Sequence, residues 1–516
     1  MRSRKILPWL IFSIALLLTA GEKGNDEFLY FHTASFNFHD GVPFIRVHVK
    51  DLPAPLAVSG AVRFSCGGKD LSADAATVTL TGYTAPVVRY RVAIEELTGA
   101  ALSGYRDRVA QVAAETNRPV ELFMTGGIFS ISERRIDNRE YYIVLKELFD
   151  KEAAVKLQDA LRAELPGRQI LALPFFVSPS QATITVEGTG KKLTCDRFVK
   201  LEPTGPATAG DLTLGGHAAQ FLYGSADGTL GLVVEEDVEK LLYRILPGEM
   251  FASAPAETLK AQAIAARTDI FMQLGKRHIG DPVHICSEVH CQKLDWKNDT
   301  VAPKFRDAVD ATRGEILLHK DLYVARAPYS SSCGGHSENI KNVWFSAEKD
   351  YLQGVWDSDK PQKFNLTRGV EVRKFLEDGT GECGIALNKK FRWRKDIPAK
   401  KMDELLTSLG VGHVTDIKPL ERGVSGRVWK LLITGDTGEK PVWGELVMRR
   451  LIDDLPSSLF AVDYDEKKKV WKFTGAGWGH GVGMCQMGAI GLGQKGKKYR
   501  EILGRYYPGT SVTKIY

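Results

Sequence analysis

Near the C-terminus, residues 477–489 read GWGHGVGMCQMGA, and five of these thirteen residues are glycine. Glycine loses the most freedom on folding and offers no side chain to pack, so a run this dense weakens both helix and strand. It makes physical sense where backbone must come close to a ligand or to another segment. A flexible linker of similar glycine content carries Ser, Thr or charges. Here the gaps are filled by Trp478, His480, Met484, Cys485 and Gln486. The segment is expected to form part of a site.

The chain has 516 residues, more than one hydrophobic core usually serves, and two or three domains are expected. Its formal charge of +6 is modest for that length. No Lys/Arg tract or basic helix points to nucleic acid. At the N-terminus, Arg2, Arg4 and Lys5 precede an apolar run over residues 6–20, followed by a polar stretch over 22–27. This is the layout of a secretory signal peptide, assigned to residues 1–21. The run falls short of the roughly 20 residues a spanning helix needs. Leu18 fits a cleavage site poorly, so an uncleaved anchor is the alternative and the one route to a membrane. Either way the body is expected outside the cytoplasm, periplasmic or associated with the wall.

The fold class read from the pattern is α+β and multi-domain. Residues 28–115 read as a strand-rich domain of alternating, β-branched segments closed by Gly and Pro turns, with a short helix at its end. Residues 119–204 read as a small β-α-β unit whose helix carries Ala154, Leu157, Leu161 and Leu165 at helical spacing. Residues 205–210, rich in Pro, Thr, Ala and Gly, read as a linker into a larger α+β domain over 211–516. There Pro247 and Gly248 are expected to interrupt one helix, and Pro255 to open a second through about Leu274.

Several ordered motifs in this last part resemble the SpoIID/LytB family, the stage II sporulation protein D glycan lytic enzymes and the amidase enhancers. They are LPGEMFASAPAETLKAQAIAARTDIF over 246–271, YSSSCGGHSENIKNVW over 329–344, and GWGHGVGMCQMGA with the later YREILGRYYPGT over 499–510. The middle unit, with its aromatic first strand, resembles the small peptidoglycan-binding SPOR domain in element order alone.

The resemblance implies a lytic transglycosylase with Glu249, of the Glu-Met pair, as general acid and base. A carboxyl in apolar surroundings favours its protonated form, which suits proton donation near neutral pH. Hydrolytic glycosidases generally use two carboxylates. One is enough here, because the C6 hydroxyl of N-acetylmuramic acid itself attacks and leaves a 1,6-anhydro end. The alternative within the same family is a non-catalytic amidase enhancer that binds the wall and activates a separate amidase. The implied partners are therefore peptidoglycan glycan strands and, on the second reading, a cell-wall amidase. Arg267, Gln292, Ser330, Ser331, Gly334, Gly335, His336, His480 and Gln486 are the expected substrate-binding residues.

Seven cysteines occur: Cys66, Cys195, Cys286, Cys291, Cys333, Cys383 and Cys485. In CSEVHCQ, Cys286, His290 and Cys291 have spacing that suits a structural zinc, with water, His284, Cys333 or His336 as fourth ligand. The competing expectation is two disulfides among Cys286, Cys291, Cys333 and Cys485, since exported cysteines often oxidise. Neither HExxH nor a GxSxG elbow is present, which argues against a zinc peptidase and a serine hydrolase.

Overall fold

The computed structural model describes residues 37–98, 102–165, 167–217, 219–225, 228–288, 291–292, 294, 301–360 and 362–516. The signal-peptide assignment and His290 lie outside these residues. The architecture is α+β. Its largest element is a twelve-stranded sheet that runs from Phe38–His39 and Val42–Pro53 through Leu56–Cys66 and Lys69–Thr84 to Gln181–Gly188 and Lys191–Asp196. Alternating buried and exposed positions along Leu56–Cys66 and Lys69–Thr84 turn one face onto a core containing Phe64, Val78, Ile184 and Leu222. A disulfide between Cys66 and Cys195 staples the sheet across 129 residues of sequence.

The domain boundaries differ from the expectation. Lys69–Thr84 pairs with Gln181–Gly188, whereas the next strand, Val87–Leu97, leaves for a different sheet. Residues 87–178 are thus an insert between two halves of one sheet. The insert reads strand, helix α1 (Tyr105–Thr116), strand, strand, helix α2 (Lys151–Glu164), strand. Its sheet order is Leu171–Ser178, Val87–Leu97, Glu140–Leu145, Val120–Thr125, all antiparallel, which is the split β-α-β arrangement. A boundary at 115–119 would cut that unit in two. Local propensity could not reveal this, because the pairing of 69–84 with 181–188 is non-local. The supposed linker is also structured: Ala207–Ala209 is a strand on Leu56–Cys66, with Ala209 fully buried.

The insert is docked firmly. Its hairpin Ile128–Ile131 and Arg134–Asp137 extends a five-stranded sheet that includes Glu315–His319 and Thr510–Lys514. Glu140 accepts from Lys276 Nζ at 2.9 Å and Arg326 Nε at 2.6 Å. Burial opposes the Glu140 charge, yet Arg326 and Lys276 hold its carboxyl well below the usual range. Asn138 Nδ2 donates to the carbonyls of Phe271 (2.8 Å) and Leu274 (2.9 Å), closing a helix end that would otherwise leave those groups unpaired.

Two helices form the centre. Helix α3 (Val238–Glu249) is amphipathic, and helix α4 (Ala256–Gln273) is buried on fourteen of its eighteen positions. A helix buried on nearly every face belongs in a core, and α4 packs there against Glu315–His319 and the C-terminal helices. The expected break at Pro247 does not occur: α3 continues through it to Glu249. In the last turn a missing N–H removes only one intrahelical bond, so the helix tolerates it.

Arg267 overturns its expected role. It is fully buried on α4 and donates to both Glu239 carboxylate oxygens, with Nε–Oε1 at 2.9 Å, and to the Glu315 carbonyl at 3.0 Å. Tyr516 also donates to Glu239. The pair joins α3, α4, a strand and the C-terminus, and it touches no open surface. Glu239→Ala should lower unfolding stability by about 3–5 kcal/mol, because it strands a buried guanidinium. Denaturant unfolding monitored by tryptophan fluorescence checks this. A variant as stable as the parent would return Arg267 to the substrate-binding list.

Candidate active site

Glu249 is the last residue of α3 and is half-buried. Across from it, helix α5 (Gln486–Gln494) begins with Gln486, whose Nε2 lies 3.2 Å from Glu249 Oε2, 3.2 Å from the Glu249 carbonyl and 3.3 Å from Gln262 Oε1. Gln262 is fully buried on α4, and among the described residues its own Nε2 has no partner. The first motif and the last therefore meet at one carboxylate, 237 residues apart in sequence.

The central motif closes the third side. Tyr329–Ser330 pairs in parallel with Met484–Cys485, and Ser332 bridges Trp478. Tyr329 donates its hydroxyl to Gln292 Oε1 at 2.6 Å, and Gln292 donates in turn to Asp269 at 2.8 Å. Burial, and next the nearby Glu249 charge, push the Tyr329 phenol well above its ordinary pKa, so it stays a neutral donor. Gln292 is buried and committed to this chain of bonds, which makes it a support of Tyr329.

His480 accepts the Val482 N–H on Nδ1 (3.0 Å) and therefore donates from Nε2 to the Tyr329 carbonyl (2.9 Å). Its ring packs beside Trp344 at 4.8 Å. Burial, then the Arg427 charge, push its pKa down to about 3. His336 is buried edge-on to Trp356 with Nδ1 2.6 Å from the Ser337 carbonyl, and burial pushes its pKa down to about 4. Both are neutral structural residues in this setting. Ser330 is likewise turned inward and accepts the Gly481 N–H at 3.2 Å, while Ser331 is half-buried. Gly334 and Gly335 lie inside, against Ala476 and Phe375. Of the expected sugar-contacting set, Gln486 hydrogen-bonds Glu249.

The glycine run is explained by close approach. A Cβ on Gly481 would stand 2.2 Å from Arg427 Cζ. That buried guanidinium donates to the carbonyls of His336 (3.3 Å) and Cys333 (3.1 Å), so it clamps the central motif through the gap a glycine leaves. Each motif also carries an exposed aromatic: Phe251 is 50% exposed, Trp344 38% and Trp478 48%. Arg427, Gln262 and Tyr329 were not anticipated as site-forming residues. Gln262 and Tyr329 each lie inside a quoted motif.

The cysteines divide in an unexpected way. Among the described residues the one disulfide is Cys66–Cys195, and Cys286, Cys291, Cys333, Cys383 and Cys485 stand outside it as thiols. Cys286 is fixed by the strand Ile285–Cys286, which pairs with Val47 and His48. The ligand atoms of Cys286, Cys291 and His278 lie within 4.8 Å of one another. His278 Nε2 is 3.2 Å from Cys291 Sγ, and its Nδ1 faces Asp281 at 3.7 Å, the carboxylate–histidine arrangement common behind a metal. These residues fit zinc by donor chemistry, with His278 as the nitrogen ligand. The other suggested ligands do not join them. His284 accepts the Arg46 N–H on Nδ1 at 3.0 Å, His336 faces Ser337, and Cys333 lies with Cys383 and Cys485.

A stage II sporulation protein model matches residues 226–319, which contain α3, Glu249 and α4. A domain of unknown function (DUF8618) matches residues 338–483. Stage II sporulation protein D of Bacillus subtilis is 27% identical over 295 residues, covering 54% of this chain and 74% of that protein. An uncharacterized protein of Brachyspira hyodysenteriae is 29% identical over 284 residues, covering 55% of this chain and 68% of that one. The amidase enhancer of Bacillus subtilis is 28% identical over 295 residues, but this chain spans only 40% of its length. With the two motifs meeting at Glu249, these matches support assignment of the chain to the SpoIID/LytB family.

Proposed function

We propose that this protein is an exported lytic transglycosylase of peptidoglycan. The observation that carries the reading is the contact between Gln486 and Glu249: two remote motifs converge on a half-buried carboxylate, and each of the three motifs carries an exposed aromatic ring. Such rings suit the apolar faces of sugars, as aromatic side chains bury large areas at binding surfaces. Glu249 protonates the oxygen between N-acetylmuramic acid and N-acetylglucosamine as the C1–O bond breaks. Its carboxylate then takes the proton of the C6 hydroxyl that bonds to C1, so the acid is restored and no water is consumed. Glu249 is the proton carrier because His336 and His480, with pKa values pushed down to about 4 and 3, are not acids near neutral pH. Gln486 orients the carboxyl, and Tyr329 stays neutral beside it.

Zinc at His278, Cys286 and Cys291 would be structural, tying the strand Ile285–Cys286 to the loop after α4, with no part in the proton transfers. The Cys66–Cys195 disulfide favours an oxidising compartment and so supports export. No described helix is long and apolar enough to cross a membrane. The insert over 87–178, docked by Glu140 and Asn138, would hold the wall polymer at a fixed angle to the cleft.

Purified protein should convert peptide-stripped glycan strands into fragments with 1,6-anhydro ends, read by mass spectrometry. Glu249→Gln should abolish them while leaving the melting temperature unchanged. Gln486→Ala should lower the rate by about 10- to 100-fold, the range for losing one orienting hydrogen bond to the proton carrier. Intact glycan with the parent protein would overturn the reading in favour of an amidase enhancer, a role tested by adding a wall amidase.

The two buried histidines set an acid limit. Their folded pKa values lie below the ordinary 6.5, so the unfolded chain binds more protons and stability falls as pH drops from about 6.5 toward 4. His336→Gln should flatten that decline by up to about 1.4 kcal/mol per pH unit. Melting curves between pH 7 and 4.5 check it, and an unchanged slope would contradict it.

A further inference from the structure

Away from the His278 cluster, three thiols and a carboxylate converge in the interior. Cys333, Cys383, Cys485 and Asp357 are all fully buried, and their ligand atoms lie within 4.8 Å of one another. Cys333 Sγ and Cys383 Sγ are 3.7 Å apart. A tetrahedral zinc with Zn–S bonds of about 2.3 Å separates its sulfurs by about 3.8 Å. A disulfide would bring them to about 2.05 Å. The four groups come from four parts of the chain: the central motif, the loops after Leu352 and Asp378, and the start of α5.

The surroundings suit an ion. Asp357 makes no ion pair among the described residues; Oδ1 accepts from Tyr506 at 2.6 Å and Oδ2 from the Cys383 N–H at 2.8 Å. A buried carboxylate without a countercharge is costly. Two guanidiniums in the neighbourhood are engaged elsewhere, Arg392 on the carbonyls of Gly334, Phe375, Leu376 and Gly379, and Arg505 on Asp359. Cys485 Sγ accepts backbone N–H groups from Cys333 (3.1 Å) and Gly488 (3.3 Å), the kind of support that thiolate ligands receive. The backbone of α5 also packs closely against the carboxylate. A Cβ on Gly488 would stand 2.4 Å from Asp357 Oδ1.

We propose that Cys333, Cys383, Cys485 and Asp357 bind one zinc ion in a closed structural site, each thiol releasing its proton to solvent on binding. Sulfur-rich tetrahedral donor sets favour zinc, and four protein ligands leave no open position. The ion ties the central motif to the start of α5, and so fixes Gln486, the residue after Cys485, against Glu249. This site goes beyond the glycan-cleaving reading and stands whether or not that reading holds.

The test is elemental analysis of the full-length protein carrying Cys286→Ser and Cys291→Ser, which leaves only this cluster. One zinc per chain should survive desalting, and adding Cys383→Ser should remove it. Refolding with cobalt(II) in place of zinc should give the intense visible bands of a tetrahedral thiolate site. Thiol counting on the unsubstituted protein, in denaturant with chelator, should find all five free cysteines. Three thiols, with a Cys333–Cys383 or Cys383–Cys485 bridge found by peptide mapping, would overturn the proposal. A metal-free double variant after refolding with zinc chloride would also overturn it. Should the triple variant fail to fold, cobalt titration of the unsubstituted protein decides: two equivalents support the second site, and saturation at one equivalent refutes it.

Discussion

Tyr329 and Ser330 lie alongside Met484 and Cys485 in a parallel pairing of two residues each, between segments about 150 positions apart in sequence. Two residues of ladder contribute little by themselves, since hydrogen bonds in folding net only about 1 kcal/mol each. The pairing endures because both sides are buried and each is held by other groups. Arg427 clamps the central motif from one direction, and Tyr507 donates to the Pro328 carbonyl at 2.7 Å from another. Move this pairing and Gln486 leaves Glu249, Tyr329 loses its place beside the carboxylate, and the thiols of Cys333 and Cys485 separate. The site is a consequence of this junction.

Most residues in the motifs are therefore architectural. Arg267 neutralises Glu239 inside the core, Ser330 serves the Gly481 backbone, and the two motif histidines donate or accept within the protein. This division follows from the physics of a cleft built on buried backbone. Buried polar groups must be paired, and a loop that crosses the interior needs side chains to pair its N–H and C=O groups. One carboxylate facing open surface needs many hidden partners to stand still.

What could be read in advance was local. The alternation in residues 42–84 announced strands, and Pro255 with the following Ala-rich run announced α4 nearly to the residue. Glu249 and Gln486 stood out through the motifs. Pairing partners were not legible, because nothing near Thr84 records that its neighbour is Gln181. The same limit applies to the two cysteine clusters. Cys286 and Cys291 declare themselves by spacing, whereas His278 precedes them outside the motif and reaches them only through the turn after α4. Asp357 and Cys383 carry no local signal at all. Pro247 misled for a different reason: a rule about helix interiors was applied to a last turn.

The insert shows how distant parts of this fold bear on the cleft. Its Asn138 closes the C-terminal end of α4, the helix that supplies Gln262 and Asp269 to the site. Its Glu96 accepts from the Ala347 N–H at 2.7 Å and pairs with Lys349, just beyond the helical turn carrying Trp344. Both contacts are buried and charged or amide-based, so they have defined geometry and little tolerance for sliding. The unit placed between two halves of a sheet is therefore anchored at the ends of the elements that build the site.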